Sequence, residues 1–251
     1  MKGRMEMLRG KYHVCDAFGI PIYIELSFIF LLLLFVMDFG SFTFGVAAAL
    51  ALAISVTLHE LGHALTARAF GYRTRDITLS LLGGCASLIA LPRKAWQEFV
   101  TALAGPLVSF SISGAILLLD VFGVTVPNAW LRNVLAYTFW MNIMLGAFNL
   151  LPGFPMDGGR IFRSFMCAFL TRAKATLVAM WVGRAFAILL GLRGLRSIFT
   201  NGGWGFISIL IAWMIWREGW REYQMALAED DFRRWTQDDF DARVSPPPYD
   251  R

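Results

Sequence analysis

The sequence predicts an all-α polytopic membrane protein with about six transmembrane helices, on three observations. Of 251 residues, 57% are apolar and only 16% are charged, against about 25% charged in a typical soluble domain. The apolar residues fall into runs close to the roughly 17–25 residues that a helix needs to cross a hydrocarbon core. The basic residues segregate: 19 of the 23 Lys and Arg lie in the N-terminal segment, in alternate connections or from the end of the last run onward, as expected of cytoplasmic loops.

The candidate spans are residues 22–37, 44–67, 97–123, 132–151, 176–192 and 203–220. The first follows a segment, 1–21, that holds Lys2, Arg4, Arg9 and Lys11. Its apolar run ends in Asp38-Phe39-Gly40 without a small-residue cleavage site, so it reads as a retained helix rather than a signal peptide. An even number of spans puts both termini on one side, and the basic residues put that side in the cytoplasm. After residue 220, Glu222, Glu229, Asp230, Asp231, Asp238, Asp239 and Asp241 precede Ser245-Pro246-Pro247-Pro248. This composition predicts a tail that is helical at first and disordered at its end. The expected organisation is a cytoplasmic N-terminal segment at 1–21, a membrane domain at 22–220 and a cytoplasmic acidic, Pro-rich tail at 221–251.

The formal net charge of +5 is then an orientation signal and a contact with the headgroups of the lipid bilayer. There is no basic stripe of the kind that binds nucleic acid. Cys15, Cys85 and Cys167 are odd in number and form no CxxC pair, so neither a disulfide framework nor a thiolate metal site is signalled.

Ionisable groups inside a span are costly and therefore point to function. The second span holds three of them, in His59-Glu60-Leu61-Gly62-His63. On a helix, residues four apart share a face about 6 Å apart along the axis, so two imidazoles can aim at one ion. Glu60 sits about 100° round from His59, within reach of a metal-bound water. A hydrolytic zinc site wants a third protein ligand. Asp157 is the best candidate, because Pro152, Gly153, Pro155, Gly158 and Gly159 interrupt an apolar stretch around it, and irregular backbone at membrane depth belongs where protein or a wet cavity surrounds it. Asp157 would also suit a helix N-cap. The same His, Glu and Asp cluster could serve a transporter as a metal or proton relay. His13 reads as a juxtamembrane surface residue, Glu25 and Asp120 as interfacial residues at span ends, and Glu98 as a first-turn helix residue.

These residues resemble the site-2 protease family of zinc-dependent intramembrane proteases. His59-Glu60-x-x-His63 is similar to its zinc-binding helix, and Asn149-Leu150-Leu151-Pro152 through Asp157-Gly158-Gly159-Arg160 is similar to its second signature. Arg75–Leu79 followed by Gly83-Gly84 resembles its membrane-embedded β-hairpin, and Glu98-Phe99 with Ala104-Gly105-Pro106 resembles its third core helix. Two positions depart from the family pattern: Ser109 stands where Asn is common, and Glu25 where the first span often has His. The six-span plan resembles the compact subgroup, here with no room for an appended sensor or peptide-binding domain.

The resemblance implies one Zn²⁺ per chain held by His59, His63 and Asp157, with Glu60 as the catalytic base. It implies Asn149 as a substrate contact, and residues 77–88, with Gly83 and Gly84 at a turn, as a strand edge that receives an unwound substrate. The expected partner is a membrane-anchored, regulatory protein cut within the membrane near its cytoplasmic side.

Overall fold

A computed structural model describes residues 10–80, 83–88, 94–201 and 205–244. It is mostly helical, and it divides into two compact units, Met1–Leu151 and Pro152–Arg251.

The first unit begins with a hairpin of strands β1 (Lys11–Ala17) and β2 (Ile20–Glu25). Phe18 and Gly19, both at positive φ (54° and 77°), form its two-residue turn, the conformation that matches strand twist. Two helices follow, α1 (Leu26–Asp38) and α2 (Phe42–Ala69), then strands β3 (Thr74–Ser80) and β4 (Gly83–Leu88), then helices α3 (Ala95–Val121) and α4 (Ala129–Asn149). The four strands make one sheet in the order β1-β2-β3-β4. β2 runs parallel to β3, with Ile22 opposite Ile77 and Ile24 opposite Leu79; the α1–α2 crossover supplies the long connection that parallel strands require.

The expectation of an all-α chain with one β-hairpin is therefore corrected. The antiparallel pair of β3 and β4 is present, but it is half of a four-stranded sheet. The reason lies in Ile20-Pro21-Ile22-Tyr23-Ile24-Glu25, whose apolar residues alternate with period two. Ile20 and Ile22 are buried with Phe28, Val56, Leu61, Ala64, Ile77 and Leu79 in one core. The first apolar run thus loses residues 22–25 to a strand, and α1 keeps only 13 residues. Gly83 and Gly84 stand in β4, opposite Ser80 and Leu79, rather than at the turn itself, which lies outside the described residues.

Among the described residues, three helical segments are long and apolar enough to cross a membrane, Phe42–Ala69, Ala95–Val121 and Arg172–Thr200. Large apolar side chains stand exposed along helix surfaces, among them Phe30, Leu33, Met37, Phe42, Leu50 and Ile54. So much uncovered apolar surface suits lipid rather than water. Polar side chains tie the helices together from within: Asn142 Nδ2 donates to Ser55 Oγ at 2.9 Å, joining α4 to α2, and Ser113 Oγ donates to the Phe139 carbonyl at 2.9 Å, joining α3 to α4. Such bonds hold membrane helices together where the hydrophobic effect cannot.

The second unit contains α5 (Asp157–Met166), α6 (Arg172–Asn201) and α7 (Gly205–Val244). α6 and α7 form an antiparallel pair, tied near the start of α6 by Arg172 Nε to Glu229 at 3.5 Å. Arg163 of α5 is almost fully buried; it donates to Glu222 of α7 at 2.9 Å, and its guanidinium lies 4.9 Å from the centre of the Phe154 ring. α7 is helical through Val244, so the start of the tail is helical as expected; residues 245–251 lie outside the described part, as do residues 1–9 of the N-terminal segment.

Ile77 is fully buried where the sheet meets α2. Ile77→Ala is expected to destabilise the protein by about 2–5 kcal/mol, read as a lower denaturation midpoint in detergent. Leu33→Ala, at an exposed position, is expected to leave that midpoint nearly unchanged.

Candidate metal centre

Residues 59 and 63 occupy successive turns on one face of α2, so their rings meet edge to face, with centroids 4.9 Å apart. His59, Glu60 and His63 are all buried, and each offers a ligand atom within 4.8 Å of the other two.

α3 faces this pair with Thr101, Gly105 and Ser109, three residues at a spacing of four and therefore on one face. His63 Nδ1 lies 2.7 Å from the Thr101 carbonyl oxygen. A carbonyl only accepts, so His63 donates from Nδ1, and its Nε2 carries the lone pair. His59 Nδ1 lies 2.9 Å from Ser109 Oγ, a hydroxyl that can accept from the ring or donate to it and that holds the second ring at the same atom. Between these two anchors, a Cβ on Gly105 would overlap His63 Nε2 and stand 2.7 Å from His59 Nε2. With no side chain at 105, α3 lies directly against both Nε2 atoms. Two imidazoles oriented through Nδ1, with a carboxylate beside them, form a donor set that suits zinc.

The carboxylate of Glu60 is placed by β4. Its Oε2 accepts from the Ala86 N–H at 2.9 Å, and a Cβ on Gly84 would come within 2.8 Å of its Cδ and Oε1. Glycine at 84 thus lets the strand lie directly against the acid. β4 is an edge strand of the sheet.

The remaining sequence-predicted residues are distributed as follows. Asp157 is the first residue of α5, in the second unit, and it is buried. It is not the N-cap; Met156 holds that place, with no side-chain cap bond. Asn149 ends α4, and its Nδ2 donates to the Leu145 carbonyl one turn back at 2.9 Å. Gly83 and Gly84 open β4. His13 is exposed and lies 3.1 Å from Asp16, a surface residue as expected. Glu98 stands in the first turn of α3, and its side chain is buried.

Sequence reasoning noted Ser109 only as a departure from the family's Asn and missed its contact with His59, although its spacing from Gly105 and Thr101 marks it as a residue of that face. It could not have found the Thr101 carbonyl or the Ala86 N–H, since backbone groups leave no signature in residue identity.

The model of peptidase family M50 matches residues 47–129 and 111–190. A Synechocystis protein that carries a provisional zinc metalloprotease name is 31% identical over 252 residues, which cover 93% of this chain and 65% of that protein. A zinc metalloprotease of Methanocaldococcus jannaschii is 33% identical over 218 residues, 86% of this chain and 61% of that protein. The chain therefore spans less than two thirds of the length of these relatives. Among solved structures, the site-2 protease from Methanocaldococcus jannaschii is similar with a TM-score of 0.63 and 33% identity, over 85% of this chain and 95% of that one.

Removing the Ser109 hydroxyl takes away the α3 contact of His59 Nδ1. Ser109→Ala is expected to weaken metal affinity about 10–100-fold, measured by competition with a chelating dye. Gly105→Val puts carbon where the two Nε2 atoms lie, and is expected to abolish stoichiometric metal binding in a chain that still folds by circular dichroism.

Proposed function

The chain belongs to peptidase family M50, and on that premise we propose that it is a zinc-dependent intramembrane endopeptidase. Its substrate is the transmembrane segment of a membrane-anchored, regulatory protein. The observation that carries this reading is the pair of histidines whose Nδ1 atoms are both engaged by α3, with Glu60 beside them and backed by an edge strand.

His59 and His63 supply two ligands through Nε2. Asp157 is the third ligand on the strength of its signature from Asn149 to Arg160. One zinc ion held there would lower the pKa of a bound water toward about 7 and polarise the scissile carbonyl. Glu60 takes the proton from the attacking water at a carboxylate oxygen and delivers it to the leaving amine.

A transmembrane helix hides its carbonyls, so the substrate must be extended before attack. The open edge of β4 offers backbone partners to an extended strand, and Gly83 and Gly84 let that strand approach closely. Because Ala86 of the same strand donates to Glu60, a peptide held on β4 lies beside the base. Asn149 contributes a further hydrogen bond to the substrate backbone. About six spans with both termini in the cytoplasm put the histidines near the cytoplasmic end of the second span, so the cut frees a cytoplasmic fragment.

The test is a reconstituted assay on a single-span substrate, with metal analysis of the same samples. Glu60→Gln is expected to lower the cleavage rate about 10²–10⁴-fold while keeping one zinc per chain. Asp157→Asn is expected to lose both metal and activity. Cleavage by Glu60→Gln at the wild-type rate would overturn the protease reading. Zinc flux into proteoliposomes that survives Glu60→Gln would support a relay transporter in its place.

A further inference from the structure

Arg184 is the single charged residue of the apolar stretch 176–192 in α6. Its guanidinium is framed by indoles, 4.5 Å from the Trp216 ring centre, 5.0 Å from Trp181 and 5.5 Å from Trp220. Next to it, the Arg217 guanidinium lies 5.2 Å from the Trp213 ring. Arg184, Arg217, Trp213, Trp216 and Trp220 line one groove on the surface of the second unit.

Aromatic faces stabilise the flat face of a guanidinium, but they give its in-plane N–H groups nothing to donate to. Among the described residues no hydrogen bond or ion pair reaches Arg184, and its Nε is buried without an acceptor. The nearby acids of α7 are already engaged: Glu218 accepts from Arg221 at 3.1 Å, and Glu222 from the buried Arg163 at 2.9 Å. Two guanidiniums thus share a groove with no described anion between them. An unpaired charge in a membrane helix is costly enough that a partner is expected.

The level of the groove says what that partner is. Trp213, Trp216 and Trp220 stand where α7 passes from the apolar Phe206–Trp216 to Arg217, Glu218, Arg221 and Glu222. An aromatic belt at such a transition marks the bilayer interface, where phosphodiesters lie with acyl chains beneath them. Arginine forks match phosphate oxygens in pairs, and the indole faces suit the upper acyl chain. With two cations and, among the described residues, no free carboxylate to meet a choline, the groove favours a headgroup of net negative charge.

We propose that Arg184 and Arg217, with Trp213, Trp216 and Trp220, form a binding site for the headgroup of an anionic phospholipid. The site lies within the second unit and does not depend on the peptidase reading.

The full chain, purified in mild detergent, is mixed with equal amounts of phosphatidylglycerol and phosphatidylcholine of identical acyl chains, and the retained lipid is counted by native mass spectrometry. The expected result is a several-fold preference for phosphatidylglycerol that falls to parity in Arg184→Gln and in Arg217→Gln. Arg132→Gln, at an exposed site on another helix, should keep the preference. Arg184→Lys, which keeps the charge and loses the fork, should fall between wild type and Arg184→Gln. Arg217 is exposed, so its variant carries the test even if Arg184→Gln fails to fold. Parity in wild type, or undiminished preference in Arg217→Gln, overturns the proposal. Displacement of the lipid by millimolar inorganic phosphate also overturns it, since the groove would then hold a small anion and not a lipid.

Discussion

The close contact of α2 with α3 across Gly105 is the constraint on which the metal centre depends. Two imidazoles on one helix face would splay or hydrogen-bond to each other if nothing oriented them. Here each ring is held at Nδ1 by α3, one by a carbonyl and one by a hydroxyl, and the residue between those anchors has no side chain, so the helix lies directly against both Nε2 atoms. Orientation and close approach come from the same face of the same helix. A larger residue at 105 would push the helices apart and loosen both anchors together.

Placing such groups in an apolar scaffold is costly unless each has a partner. Ser55 and Asn142, Ser113 and the Phe139 carbonyl, and Arg163 and Glu222 are joined within their own units. Glu60 follows the same rule, with a twist that bears on function. Its partner is a backbone N–H of an edge strand, so the acid is tied to the surface on which an extended peptide would be held.

Much of this was legible in the sequence. The His-Glu-x-x-His helix, the second and third spans and the fourth helix stand within a few residues of where hydropathy puts them, because long apolar runs leave a helix few alternatives in lipid. The β3 and β4 hairpin was legible through family resemblance. β1 and β2 were not: Ile20–Glu25 merges into the apolar run of α1, and its pairing with β3 joins residues more than fifty positions apart. Ser109 was legible as a departure from the family pattern, but its partner was not, because a serine in a membrane helix commonly bonds to its own backbone, as Ser111 does to Leu107. Only the approach of α2 shows that Ser109 has a different partner.

The central claim is that His59 and His63 bind one metal through Nε2 and that an oxygen ligand completes the set. X-ray absorption at the zinc edge of the loaded, full-length chain tests it most directly. The account predicts two imidazole nitrogens at about 2.0–2.1 Å and oxygen ligands near 2.0–2.2 Å, with one imidazole lost in His63→Ala. A sulfur shell at about 2.3 Å, or a spectrum with no imidazole scattering, would contradict it.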